Sequence, residues 1–282
     1  MSVKGKVIGG ILGSMLGGPF GAVLGVAIGH TFDKDKDKNG SGYQYREPSG
    51  QPGPGFNLGQ AQMTFFVATF SMLGKMANAD GQISASERNT VIQFMNNDLR
   101  LSRQDQDFAL RIFDTAAVSS ESFEKFAEQF YQSFYHSPEM IEMMMDILVR
   151  IAMADGVLSD KENQFIAQAA MCMRYPAGNV DYLKTRYGYR QEQGSGYSSG
   201  SSYSSSSSRS DSGSLAAAYS VLGCSSSDSD DVIKAKYKKL IKEYHPDVIA
   251  SKGLPEEFMK FATEKFDQIQ KAYETIKKVR NL

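Results

Sequence analysis

Apolar and polar residues are unevenly distributed along this chain, which divides into five stretches of different period. Val7 to Gly29 contains no charged residue, and at 1.5 Å per residue it makes a helix of about 35 Å, enough to cross about 30 Å of hydrocarbon once. Glycine recurs at every fourth position from Gly5 to Gly29. Gly9, Gly13, Gly17, Gly21 and Gly25 therefore share one helix face, a GxxxG repeat through which two such helices can approach and dimerise. In water each glycine costs a helix about 1 kcal/mol relative to alanine, whereas in lipid the backbone has no other partner and stays helical. A hairpin broken at Gly17-Gly18-Pro19 has arms of about 15 Å, too short to span, so a kinked single span is expected. A cleaved secretory signal fits less well, because the apolar region is long and no A-x-A-like site precedes the charges. Lysines flank both ends (Lys4 and Lys6; Lys34, Lys36 and Lys38), so the positive-inside rule does not orient the span.

After the span, alternating Asp and Lys and then SGQPGPG bury nothing, and 33–55 reads as a tether. From Phe56 the period becomes helical: Met63, Phe66, Val67, Phe70, Leu73 and Met76 form one stripe, and Phe123, Phe126, Ala127, Phe130 and Phe134 another. Ser102-Arg-Gln-Asp105 predicts a helix start, as does Ser137-Pro138 with proline at the first helical position. Met143, Met144 and Met145 are expected as flexible core filler. A Ser/Gly/Tyr-rich stretch, 191–214, is a second flexible spacer. The expected architecture is all-α: an anchor in 1–32, a helical domain in 56–190 and a second helical unit in 215–282.

Composition removes several functions. The chain has 282 residues, a net charge of −1 and a pI near 6.3, so no global basic excess draws it to nucleic acid. Its two cysteines, Cys172 and Cys224, lack CxxC spacing, and its three histidines, His30, His136 and His245, form no cluster. A disulfide framework, a cysteine-rich zinc site and the usual hydrolase constellations are therefore unsupported. Cys224 lies beside serines with no base implied nearby, so an enzyme is not expected.

One segment repeats. Ala77-Asn-Ala-Asp80-Gly81-Gln-Ile83-Ser84-Ala-Ser-Glu87 returns as Ala152-Met-Ala-Asp155-Gly156-Val-Leu158-Ser159-Asp-Lys-Glu162. The glycine suits a positive φ after one helix, the apolar residue plugs the turn, and Ser-x-x-Glu caps the next helix reciprocally. Only the aspartate lacks a purpose in that account. Against a calcium-binding loop the second half matches, but Met76 and Ile151 stand where the first carboxylate ligand belongs. The repeat resembles the tellurite-resistance TerB-like helical domain, whose two acidic turns meet at one end of a bundle. That resemblance implies weak divalent-metal binding by Asp80, Glu87, Asp155 and Glu162, with no other cofactor.

In the C-terminal unit, Ser229-Asp-Asp opens a helix whose Ile233, Tyr237, Leu240 and Tyr244 form an apolar stripe, while Lys234, Lys236, Lys238, Lys239 and Lys242 make its other faces positive. Pro246 ends that helix, and Phe258, Ala262, Phe266, Ile269, Ala272, Tyr273 and Ile276 predict an antiparallel partner. The order Tyr219-x-Val-Leu-Gly, lysine helix, His245-Pro246-Asp247, Phe266-x-x-Ile-x-x-Ala-Tyr-Glu is similar to the J domain of DnaJ-type co-chaperones. The resemblance implies that Lys234, Lys238, Lys239 and Lys242 dock on an acidic surface of a DnaK-type chaperone. It also implies that His245, Pro246 and Asp247 trigger its ATP hydrolysis. Val248 departs from the lysine common after this motif.

Together the segments resemble the membrane-anchored DnaJ-like co-chaperones of Gram-negative bacteria. This implies a single-pass inner-membrane protein with a periplasmic amino terminus, cytosolic domains and a task in envelope stress response or quality control. The competing expectation is a metal-responsive or signalling adaptor, in which the bundle binds partners and the J domain recruits DnaK.

Overall fold

Two reciprocal caps, four further serine starts and a set of apolar stripes divide the chain into helices. The computed structural model describes residues 16–34, 58–188 and 209–281, and the side chains of 16–28, 59–188 and 215–281. Among the described residues all regular structure is helical. The helices of the amino-terminal part are α1 (Gly18–Lys34), α2 (Leu58–Ala77), α3 (Ala85–Gln93), α4 (Arg103–Ala117), α5 (Phe123–Phe134), α6 (Pro138–Ala152), α7 (Asp160–Cys172) and α8 (Ala177–Arg186). A π-helical turn, Phe94–Asp98, extends α3. The carboxy-terminal part has α9 (Arg209–Val221), α10 (Asp230–Glu243), α11 (Pro246–Ser251), a 3-10 turn (Glu256–Phe258) and α12 (Met259–Arg280). Helix α9 thus begins inside the stretch read as a spacer; the rest of that spacer and most of 33–55 lie outside the described residues.

Helix α2 is the axis of the bundle. The stripe from Met63 to Met76 predicts one buried face, but Phe65, Ala68, Thr69, Ser71 and Met72 are also inaccessible. A helix buried on every side belongs at the centre, and α4 and α5 pack along it. At Gly74 a Cβ atom would stand 2.3 Å from the Phe113 carbonyl oxygen, so glycine is what lets α2 and α4 meet there. All five apolar residues expected on α5 are buried, as are Met143, Met144 and Met145 on α6. Ser102 Oγ accepts from the Asp105 amide, and Pro138 is the first residue of α6.

The described part of the amino-terminal segment begins at Leu16 and turns at two glycines. Gly17 and Gly18 both have positive φ, 60° and 52°, so the backbone breaks there and helix resumes as α1. Phe20, Val23, Leu24 and Ala27, expected in lipid, are buried. The Phe20 ring lies 5.7 Å from that of Phe126, and Gln129 Nε2 donates to the carbonyls of Leu16 and Gly17. No described helix is long and apolar enough to cross a membrane. Of the glycine stripe, Gly9 and Gly13 lie outside the described residues, Gly21 is buried and Gly25 half-buried.

Candidate functional site

The His-Pro-Asp loop grows out of two helix ends. Helix α10 stops at Glu243, with the Tyr244 amide donating to the Leu240 carbonyl. His245 then turns extended (φ −60°, ψ 132°) and becomes the N-cap of α11, its Nδ1 accepting from the Asp247 amide at 3.3 Å. Pro246 therefore does more than end α10: it occupies the first turn of α11, where its missing N–H costs nothing. With Nδ1 accepting, neutral His245 carries its proton on Nε2. Its ring meets the edge of Phe266 at 5.7 Å. The side chains of His245 and Asp247 are 49% and 93% exposed, so the motif is offered to solvent.

Behind the loop, the α10 stripe packs on α12. Ile233 and Tyr244 are buried, and Tyr237 stacks on Tyr273 with ring centroids 3.9 Å apart. Arg280 ties the far end together: Nε donates to Tyr219 Oη, and Nη1 to the Asp228 carbonyl and Asp230 Oδ1. On the outer side Lys238, Lys239 and Lys242 are exposed and Lys234 is half-buried. Lys236 is drawn away from that face, donating to the Gly223 carbonyl and pairing with Asp228.

The two repeated turns are built as the caps predicted. Gly81 and Gly156 have φ of 89° and 82°. Ser84 with Glu87, and Ser159 with Glu162, form complete capping boxes. The aspartates, unexplained by sequence, each close a turn: Asp80 Oδ1 accepts from the Gln82 amide and Asp155 Oδ1 from the Val157 amide. Glu87, Asp155 and Glu162 border one cavity of about 60 Å³, and Asp80 does not. No three His, Cys, Asp or Glu side chains among the described residues converge to hold a metal ion. Each of the four carboxylates accepts a local backbone amide through one oxygen.

A feature not read from the sequence lies on α6. Glu139, Glu142, Asp146 and Arg150 recur at i, i+3, i+7 and i+11 and form a polar stripe inside the bundle's apolar helix. Glu139 Oε1 pairs with Lys252 Nζ at 2.7 Å. Glu142 accepts from Tyr244 Oη and pairs with Lys265. Asp146 accepts from Arg186 and Tyr187, both at 3.0 Å, and Arg150 binds Asp98 and Glu264. Burial pushes the Asp146 carboxyl above the usual carboxylate range, against the pull of Arg186. Burial and the Glu142 charge raise the Tyr244 hydroxyl well above its ordinary value. Phe258, expected within the C-terminal hairpin, instead packs against Phe65 and Phe66 of α2, with centroids 5.1 and 6.3 Å away. Phe261 meets Phe94 at 5.9 Å. The C-terminal unit thus sits on the bundle, leaving the motif and the lysine face outward.

Comparison with known proteins agrees with this division. Residues 66–184 match the family of tellurite resistance protein TerB, 217–281 the DnaJ domain, and 1–47 the transmembrane domain of the co-chaperone DjlA. The co-chaperone protein DjlA of Vibrio cholerae is 33% identical over 288 residues, covering 100% of both chains. The chain belongs to the DjlA co-chaperone family. Its DjlA relative in Coxiella burnetii is 32% identical over 78% of this chain and 79% of its own length. In Escherichia coli the figures are 29% identity over 89% and 88%. No solved structure matches. Membership of the DjlA family accounts for the J domain and links the chain to the inner membrane.

Proposed function

We propose that this chain is a membrane-anchored co-chaperone that raises the ATPase rate of a DnaK-type chaperone through His245, Pro246 and Asp247. It performs no turnover of its own. The observation that carries the reading is the exposed, helix-capped loop beside a lysine face on which Lys238, Lys239 and Lys242 are exposed, on a J-domain hairpin whose apolar stripe is buried. Lys234, Lys238, Lys239 and Lys242 supply attraction to an acidic partner surface, and the loop supplies the trigger. The family's transmembrane domain and the uncharged stretch Val7–Gly29 favour an anchor, and action on a cytosolic chaperone and its ATP requires both domains in the cytosol and so the amino terminus in the periplasm. Insertion of that stretch withdraws Phe20, Val23, Leu24 and Ala27 from the bundle and opens their seat beside Phe126 and Gln129. Quality control or stress response at the envelope is the setting such a trigger suits.

Inverted inner-membrane vesicles carrying the full chain test the reading. After a high-salt wash they should still accelerate ATP hydrolysis by added purified DnaK, and vesicles carrying His245→Gln should not. Equal rates with and without the histidine would sink the trigger, and chain released by the wash would sink the anchor.

A further inference from the structure

The His-Pro-Asp loop is held at both stems by the bundle. Immediately before it, Tyr244 donates to Glu142; shortly after it, Lys252 pairs with Glu139, whose side chain is only 4% exposed. Lys265, on the next helix, closes on the same Glu142. Beside these charges the apolar contacts are tight. Gly253, at φ 97°, lies against Ala61, where a Cβ would approach the Ala61 Cβ to 2.4 Å. Phe258 and Phe261 are buried among Phe65, Phe66 and Phe94. The covered side is therefore 252–265, and the surfaces that meet a chaperone stay open: Asp247, His245, Lys238, Lys239 and Lys242.

We propose that Glu139 and Glu142 are positioning residues for the trigger: docking of the J domain on the α6 stripe fixes the His-Pro-Asp loop in the conformation that DnaK engages. The proposal rests on the co-chaperone reading. A loop pinned at both stems has lost its conformational freedom before the partner arrives, so less of the binding energy goes into ordering it. Release of the dock returns that ordering cost to the binding step, so the half-saturating co-chaperone concentration should rise and stimulation at a fixed, subsaturating concentration should fall. The expected fall is about fivefold, the lower end of coupling between linked sites.

A cycle of variants in the full chain tests this. Lys252→Met leaves the buried Glu139 charge unpaired and Glu139→Met leaves the half-buried Lys252 without its partner, so each should undock the domain, whereas the double variant removes both charges and should redock it. Amide exchange across 253–262 reports docking, and ATP hydrolysis by purified DnaK reports the trigger. Both single variants should lose protection and stimulation together, and the double variant should recover both. Undocked single variants that stimulate as well as wild type, or better, would overturn the proposal, the second result marking the dock as inhibitory. Unchanged protection in both single variants would overturn it as well. A wild-type chain that stimulates nothing would remove the co-chaperone reading instead, and with it any positioning of a trigger.

Discussion

At the residue scale, the outcome turned on where backbone and side chains compete for the same oxygen atoms. Asp80 and Asp155 have no local role that the sequence alone reveals. Their amide donors, Gln82 and Val157, lie two residues on and become partners only once the glycine takes positive φ. The capping serines and glutamates were legible because Ser-x-x-Glu is a local rule that tertiary structure left intact. Asp146 was not, since its burial depends on Arg186 and Tyr187, far along the chain. Its weakened acidity has a consequence of fixed sign. The native carboxyl holds a proton that the unfolded chain releases near its ordinary value of about 4, so stability falls as pH rises from there through the native value. The stability of wild type minus that of Asp146→Asn, from urea unfolding between about pH 4 and about pH 7, should therefore shift against wild type with rising pH. A flat difference, or one shifting toward wild type, contradicts the assignment.

At the element scale, amphipathic helices with one buried face were read correctly, and helices buried on two faces were read as half of themselves. The α5 stripe is complete in the sequence. The α2 stripe did not reveal Phe65, and the apolar composition of α6 did not reveal the partners of Glu139 and Glu142, because periodicity shows which face is apolar but not what a polar residue meets. Helix α10 separates its two faces most cleanly, with an apolar stripe for the fold and lysines that the proposed function assigns to the partner. Reversal of charge at Lys234, Lys238 and Lys242 to glutamate should sharply lower coupling to DnaK, while stability changes by only about 0.5 kcal/mol per site. Raised salt should reproduce the effect in wild type, since screening acts within about 8 Å at physiological ionic strength and about 3 Å at 1 M. Normal coupling by the triple variant at low salt would place the docking surface elsewhere.

At the scale of the whole molecule, the order of segments was legible and their mutual placement was not. Composition alone separates an apolar start, two polar spacers and two helical units, and the family matches at 1–47, 66–184 and 217–281 follow the same order. Contacts across a spacer leave no periodic trace, so the seat of Phe258 between Phe65 and Phe66, and of α1 beside Phe126, emerges only in three dimensions. The central claim is that the chain acts on a chaperone through a loop it exposes for that purpose. Asp247 tests it most directly, because its side chain is 93% exposed and its carboxylate contributes no buried packing. Single-turnover ATP hydrolysis by purified DnaK should be measured with the full chain and with Asp247→Asn, alongside thermal unfolding of each. The account predicts unchanged unfolding and loss of nearly all stimulation. Equal stimulation by the two chains would contradict it.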